Sequence, residues 1–234
     1  MILILKTGTT YKSIRSRYGD FEDWIKEKMN LKEGEYLIHP IGDYQIIPPD
    51  YNYKGIVITG SHSMVTDIEP RDSKICNWLL NAQRSGVPML GICYGHQLLS
   101  NLVGGIVTYN TTGTVIGSEN TYLTQAGQQD KLLGELPPVF EVYKANQQSV
   151  SKLPKSAEIL ATNESGMIDA VRFNNSTWGV QFHPEFDKNI TKAYQQSQEL
   201  VNEGLDSLEL TNEVVAVDYG IRILKCFKQI INNA

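Results

Sequence analysis

The stretch that most constrains this chain is a bend between an apolar run and an amphipathic segment. Val87-Pro88-Met89-Leu90 is short and apolar, Gly91-Ile92-Cys93-Tyr94-Gly95 follows as Gly-x-Cys-x-Gly, and His96-Gln97-Leu98-Leu99 leads away. That order reads as a strand, a tight turn and a helix with Cys93 at the bend. Glycines two before and two after the cysteine remove side chains where backbones crowd. The turn directs Sγ out of the sheet edge toward the start of the helix, whose dipole favours thiolate over thiol. A buried cysteine at an ordinary strand end has the same local pattern, so the reading depends on partners elsewhere in the chain.

Apolar runs and helical periodicities alternate around this bend. Residues 2–5 predict a strand, 6–18 a polar loop, and Asp20 a cap for a helix carrying Phe21, Trp24, Ile25 and Met29 on one face. Tyr36-Leu37-Ile38 predicts a strand and Pro48-Pro49-Asp50 a turn. Gly55-Ile56-Val57-Ile58-Thr59 has the continuous apolar character of a strand buried on both faces, and it ends at the Gly60-Ser61 turn. A helix over 71–85, a strand over 87–91 and a helix over 94–103 complete the unit. Between Ile106 and Phe182 the texture changes to closely spaced strands at 106–109, 114–123, 138–143, 157–162, 167–173 and 177–182, with a short helix at 130–134. Asn174-Asn175-Ser176 reads as a hairpin turn. Helical patterns return at 188–203 and from Asn212, where Val214, Val217, Ile221, Leu224, Phe227 and Ile231 share a face despite Gly220. The expected fold is therefore α/β, a single domain over 1–234. It is a flavodoxin-like three-layer α/β/α arrangement with a mainly parallel central sheet and an additional small antiparallel strand set.

Composition narrows the function classes. The 234 residues carry a formal net charge of −5, which disfavours nucleic acid as the main partner. No apolar run approaches a membrane span, and the first apolar run lacks the basic flank and length of a signal peptide. Three widely spaced cysteines, Cys76, Cys93 and Cys226, fit a reducing cytoplasm better than a disulfide framework. Cys76 and Cys226 fall in helical patterns and read as inert thiols. Neither the cysteines nor the histidines fall at paired metal-ligand spacing, so no metal and no cofactor is expected.

A cysteine nucleophile needs a base, and the base needs an orienting group. Of the four histidines, His39 precedes a proline at a strand end and His96 sits on the helix after Cys93, facing away from it. His62 follows the Gly60 turn and faces either a pocket or solvent. His183 differs from these. It follows the strand Trp178-Gly179-Val180-Gln181-Phe182 and begins His183-Pro184-Glu185. In extended backbone, residues i and i+2 project to one side, so Glu185 can hold one imidazole nitrogen while the other faces a thiol. Two backbone N–H groups are needed for the developing oxyanion. Tyr94 at the helix start and Gly60 at its turn are the candidates, each worth about 3 kcal/mol of barrier.

At this point the chain resembles the class I (triad-type) glutamine amidotransferases. The resemblance rests on Gly91-Ile92-Cys93-Tyr94-Gly95-His96-Gln97, Thr59-Gly60-Ser61 and Gly179-Val180-Gln181-Phe182-His183-Pro184-Glu185-Phe186, with ninety residues from Cys93 to His183. It runs from about Ile4 to Ile190, and stand-alone proteins similar to the amidotransferase domain of GMP synthase are the nearest subgroup. It implies hydrolysis of glutamine to glutamate and ammonia through a γ-glutamyl thioester. Cys93 would be the nucleophile, His183 the base, Glu185 its orienter, and Gly60 and Tyr94 the oxyanion hole. Gln97 would meet the amino-acid end of the substrate, with Asn146 and Gln147 beside it.

Relatives carry a histidine and a nearby acid where this chain has Asn146 and Gln148. That departure leaves the triad intact but alters the substrate pocket or its regulation. No synthase domain follows in the sequence, so a separate synthase subunit or a homodimer is an expected partner alongside the small-molecule substrate. A γ-glutamyl peptidase acting on other γ-glutamyl amides is the alternative reading. A silent binding protein of the same fold is the third.

Overall fold

The computed structural model describes residues 1–41, 46–49, 52–67, 73–111, 113–197, 208–210, 214 and 218–234. Asp50 of the expected turn, residues 71–72 and 198–203 of two expected helices, Asn212 and Val217 lie outside the described residues.

Along the chain come β1 (Ile2–Lys6), α1 (Lys12–Tyr18), α2 (Phe21–Lys28), β2 (Tyr36–Pro40) and β3 (Gly55–Ile58). A 3-10 turn at Val65–Asp67 precedes α3 (Lys74–Arg84), β4 (Met89–Ile92) and α4 (Tyr94–Leu102). Then follow β5 (Ile106–Tyr109), β6 (Thr114–Leu123), α5 (Gln125–Gln128), β7 (Val139–Asn146) and β8 (Gln148–Lys152). Next are β9 (Glu158–Asn163), β10 (Ile168–Asn174), β11 (Thr177–Val180), α6 (Lys188–Gln195), β12 (Leu208–Leu210) and α7 (Tyr219–Asn233).

Strands β2, β1, β3, β4 and β11 lie side by side in that order, each pairing parallel to the next. β3 and β4 are buried along their whole length, as their unbroken apolar runs require. The faces of β1 alternate. Ile2 and Ile4 join a core with Ile25, Met29, Ile223 and Phe227 under α2 and α7, and Leu3 and Leu5 join Ile75, Leu79, Leu98 and Leu99 under α3 and α4. Helices on both faces of a central sheet make the three layers expected.

The antiparallel strands divide. β5 and β8 form the separate small sheet, whereas β10, β9, β6 and β7 continue the central sheet antiparallel beyond β11, and β12 pairs parallel to β6. The hairpin at Asn174 joins β10 to β11, so β11 pairs antiparallel on one edge and parallel to β4 on the other.

Three local expectations need correction. The polar stretch 6–18 contains α1, a helix with one buried residue, Ile14, and no side-chain N-cap at Tyr11, so neither periodicity nor capping marks it. The short helix lies at Gln125–Gln128 rather than 130–134, because the Thr124 hydroxyl caps the Gly127 N–H. Leu132, Leu133 and Leu136 instead anchor turns in the core. Finally, the strand expected over 138–143 runs on to Asn146 as β7, and β8, starting at Gln148, is a strand outside those expected.

Candidate active site

Cys93 sits between β4 and α4 with φ 49° and ψ −100°. A non-glycine residue there costs about 1–3 kcal/mol, held by its surroundings. The flanking glycines are steric necessities. A Cβ on Gly91 would lie 2.5 Å from the Gly95 carbonyl, and one on Gly95 would lie 2.6 Å from the Ile58 carbonyl oxygen.

Strand register brings the partners to this bend. Val180 of β11 pairs with Ile92 of β4, and the Cys93 N–H donates to the Val180 carbonyl at 2.8 Å. The chain then continues past β11 to His183, whose N–H donates to the Tyr143 carbonyl of β7 at 2.8 Å. His183 Nδ1 and Glu185 Oε1 are 2.8 Å apart, and both residues are buried. Burial pushes the His183 imidazole down. The Glu185 carboxylate, followed by the charge of and a hydrogen bond to Cys93, outweighs burial and raises it to about 10. Phe186 stacks on the His183 ring with centroids 4.0 Å apart, and Phe21 stacks at 6.0 Å.

Gly60 lies against this imidazole, where a Cβ would stand 3.0 Å from His183 Cε1. Its peptide is held by Thr7. The Thr7 hydroxyl is 2.9 Å from both the Thr59 and Gly60 carbonyl oxygens, and the Thr7 N–H donates to Thr59 Oγ1 at 3.0 Å. Lys6 pairs with Asp20 at 2.8 Å, and Asp20 caps α2 and accepts the Thr10 N–H. Tyr94 is the first residue of α4 and is buried.

The whole region from residue 18 to 223 matches the family described as "Glutamine amidotransferase class-I". The chain belongs to the class-I glutamine amidotransferase family. Over 187 residues it is 31% identical to γ-glutamyl peptidase 3 of Arabidopsis thaliana, covering 76% of this chain and 73% of that one. It is 31% identical to γ-glutamyl peptidase 5 of the same plant over 140 residues, 59% of this chain and 56% of that one. Against the glutamine-hydrolysing GMP synthase subunit of Sulfurisphaera tokodaii it is 32% identical over 69% of this chain and 81% of that one. It therefore spans little more than half of γ-glutamyl peptidase 5. The crystal structure of a glutamine amidotransferase from Thermotoga maritima superposes with TM-score 0.73 at 17% identity, over 100% of this chain and 99% of that one, which shows a shared fold.

In this member of the class-I family, Cys93 lines a small open cavity of about 40 Å³ with Gln97, Asn146, Gln147, Gln148, His62, Tyr11 and Tyr194 among its walls. The structure thus brings Gln97, Asn146 and Gln147 to one cavity with the cysteine. Gln97 Nε2 donates to the Gln148 carbonyl at 2.7 Å and to Gln181 Oε1 at 3.2 Å, so both its hydrogens are engaged inside the protein. Asn146 Nδ2 donates to the Gln148 carbonyl at 3.1 Å and to Ser149 Oγ at 3.2 Å. Gln148 Nε2 donates to Thr66 Oγ1 at 2.6 Å. The side-chain oxygens of Asn146 and Gln148 are buried and have no hydrogen-bond partner among the described residues.

His62 enters the cavity wall. Its ring lies 4.0 Å from that of Tyr11, and its Nε2 is 3.3 Å from the Tyr194 hydroxyl. His96 is fully buried away from the cavity, and burial pushes its imidazole down to about 3, so it is neutral. Burial likewise raises the Cys76 and Cys226 thiols.

Gln181, Thr7 and Tyr194 are site residues that the sequence reading omits. For Gln181 the signal was present. The expected strand over 177–182 held it two residues before His183, although β11 ends at Val180 and Pro184-Glu185 lie in a turn closed by the Phe186 N–H on the His183 carbonyl. Thr7 and Tyr194 carry no comparable sign, because their proximity to the site depends on the packing of distant segments.

Proposed function

We propose that this protein hydrolyses γ-glutamyl amides through a cysteinyl γ-glutamyl thioester, with Cys93, His183 and Glu185 as the catalytic triad. The observation that carries the reading is the buried His183–Glu185 pair set against a cysteine held at a positive-φ strand-to-helix bend.

Glu185 holds Nδ1, which leaves Nε2 of His183 to face the sulfur. Sγ attacks the amide carbon, and the carbonyl π electrons move to oxygen. The Gly60 and Tyr94 N–H groups hold that oxyanion, the first at a turn clamped by Thr7, the second at the start of a helix. The His183 imidazolium delivers the thiol's proton to the departing nitrogen as the C–N bond breaks, leaving the thioester and free amine or ammonia. A water molecule then gives its proton to Nε2 and attacks the thioester carbonyl. The C–S bond breaks, glutamate leaves and the thiolate returns. The side-chain oxygens of Asn146 and Gln148, without a hydrogen-bond partner among the described residues, suit the substrate's α-ammonium group, which needs acceptors and can dispense with a carboxylate partner.

Glutamine is the simplest such substrate, with ammonia as the leaving group and a synthase subunit or a second copy of the chain as the receiving partner. A larger γ-glutamyl amide is the second reading. It is supported by the γ-glutamyl peptidase relatives and by the exchange of an acid for Gln148. The test is an assay of released ammonia or amine across glutamine and a panel of γ-glutamyl peptides and amides, with Cys93→Ser as control. Turnover of glutamine supports the first reading and turnover of peptides alone the second. Activity retained in Cys93→Ser removes Cys93 from the mechanism.

A further inference from the structure

Two buried glutamine side chains lie end to end between a backbone carbonyl and the nucleophilic sulfur. Gln97 is on α4, one turn after Cys93, and Gln181 is the first residue past β11, next to Val180, which holds the Cys93 N–H. Gln97 is 4% exposed and Gln181 1%. Gln181 Nε2 is 3.6 Å from Cys93 Sγ, within hydrogen-bonding reach of sulfur.

The polarity of this chain follows from its far end. The Gln148 carbonyl is a pure acceptor, so the Gln97 atom 2.7 Å from it must be the amide nitrogen. The second hydrogen of that nitrogen then meets Gln181 3.2 Å away, which requires an oxygen there. With its oxygen turned to Gln97, Gln181 presents its nitrogen to the sulfur. The Gln181 backbone is pinned as well, its N–H donating to the Asp169 carbonyl of β10 at 2.8 Å.

We propose that Gln181 stabilises the Cys93 thiolate by donating an N–H to the sulfur, and that Gln97 is the positioning residue that fixes the direction of that donor. The inference deepens the reading of Cys93 as nucleophile and rests on it. An N–H aimed at sulfur favours the anion over the thiol, which has no charge to offer a donor. The same donor acts twice in the cycle. It holds the attacking thiolate before acylation and receives the sulfur's charge again when the thioester breaks. It makes no demand on the substrate, so it serves glutamine and γ-glutamyl peptides alike. The titratable groups near the sulfur are His183 with Glu185 behind it, Tyr194 from α6 and His62 across the cavity, and the variants below leave all of them in place.

The test reads the thiol directly and needs no substrate. Iodoacetamide labelling of Cys93 is followed by mass spectrometry from pH 5 to pH 10 in the whole chain and in Gln181→Met, Gln181→Glu and Gln97→Met. Circular dichroism checks folding. In the parent chain Cys93 is labelled faster than Cys76 or Cys226. Loss of the donor in Gln181→Met raises the midpoint by about one unit, slowing labelling below the midpoint by about tenfold. Gln181→Glu, which keeps the shape but places a carboxylate at the sulfur, raises it further. Gln97→Met, which frees Gln181 to turn over, raises it by less than either. A folded Gln181→Glu or Gln181→Met protein with the parent's labelling profile overturns the proposal while leaving Cys93 as nucleophile. A parent Cys93 labelled no faster than Cys76 or Cys226 overturns both.

Discussion

Gly220 and Pro184 meet backbone to backbone, and a Cβ on Gly220 would stand 2.3 Å from the Pro184 carbonyl oxygen. Pro184 lies between His183 and Glu185, so the first turn of α7 rests directly on the backbone that carries the proposed base and its orienter. Helix propensity alone favours alanine over glycine by about 1 kcal/mol. The contact reverses that preference. Gly220→Ala is expected to destabilise the fold by about 1–3 kcal/mol through overpacking and to lower amine release, as thermal unfolding and a turnover assay would report. A more stable, fully active variant would show that the contact relaxes at no cost.

Thr7 is expected to govern turnover without governing the fold. Its hydroxyl spans the Thr59 and Gly60 carbonyls, and the Gly60 peptide is the proposed half of the oxyanion hole. Thr7→Val keeps the shape but removes the donor, and kcat should fall by about tenfold through loss of a fixed N–H direction. Thr7→Ser should restore most of it. Steady-state kinetics that show the loss in KM alone would place Thr7 in binding rather than in the oxyanion turn.

The His183–Glu185 pair makes a signed prediction about pH. Burial lowers the His183 pKa, but Glu185 and Cys93 raise it overall from 6.5 to about 10. A group raised in the folded state stabilises fully below its unfolded pKa and loses that contribution as pH climbs through the folded value. Stability from the pair is therefore complete below about pH 6.5 and gone above about pH 10. Glu185→Gln should unfold at a lower temperature than the parent near pH 6, and the gap should narrow as pH approaches 10. Calorimetry across that range decides the matter, and a gap independent of pH would mean that the carboxylate's charge is not what raises His183.

A second buried pair tests the sheet behind the site. Lys144 of β7 contacts Asp169 Oδ1 at 2.7 Å and Glu119 Oε2 at 2.8 Å, and the side chains of Lys144 and Asp169 are 4% and 1% exposed. Lys144→Met leaves Asp169 charged, buried and without its cation, at an expected cost of about 3–5 kcal/mol in denaturant unfolding. Adding Asp169→Asn should recover part of that loss. Full additivity of the two changes would indicate that they do not interact.

The bend at Cys93, the buried runs of β3 and β4 and the His183-Pro184-Glu185 spacing were legible in the sequence. Each is a short-range pattern, steric at the glycines and a two-residue spacing at His183, although that segment is a turn and not the extended backbone expected: β11 ends at Val180, and the Phe186 N–H donates to the His183 carbonyl at 3.3 Å. Asp20 was legible as a cap for the same reason, since its side chain closes on the adjacent turn. α1 was not, because only Ile14 among its residues is buried and no side chain caps it. Nor was the course of the chain around Asn146, where β7 and β8 join different sheets through pairings with β6 and β5.

By itself the sequence determined the identities of the proposed reactive groups and the local backbone that presents the cysteine: a strand-to-helix turn for it, and a histidine and glutamate two residues apart. Tertiary structure decided their meeting. The Ile92–Val180 register aligns the two strand ends, the Tyr143 carbonyl holds His183, and the Gln148 carbonyl orients Gln97 and through it Gln181. These contacts join residues far apart in the chain. Their geometry comes from strand pairing and the hydrogen-bond demands of buried polar groups, which no local pattern encodes.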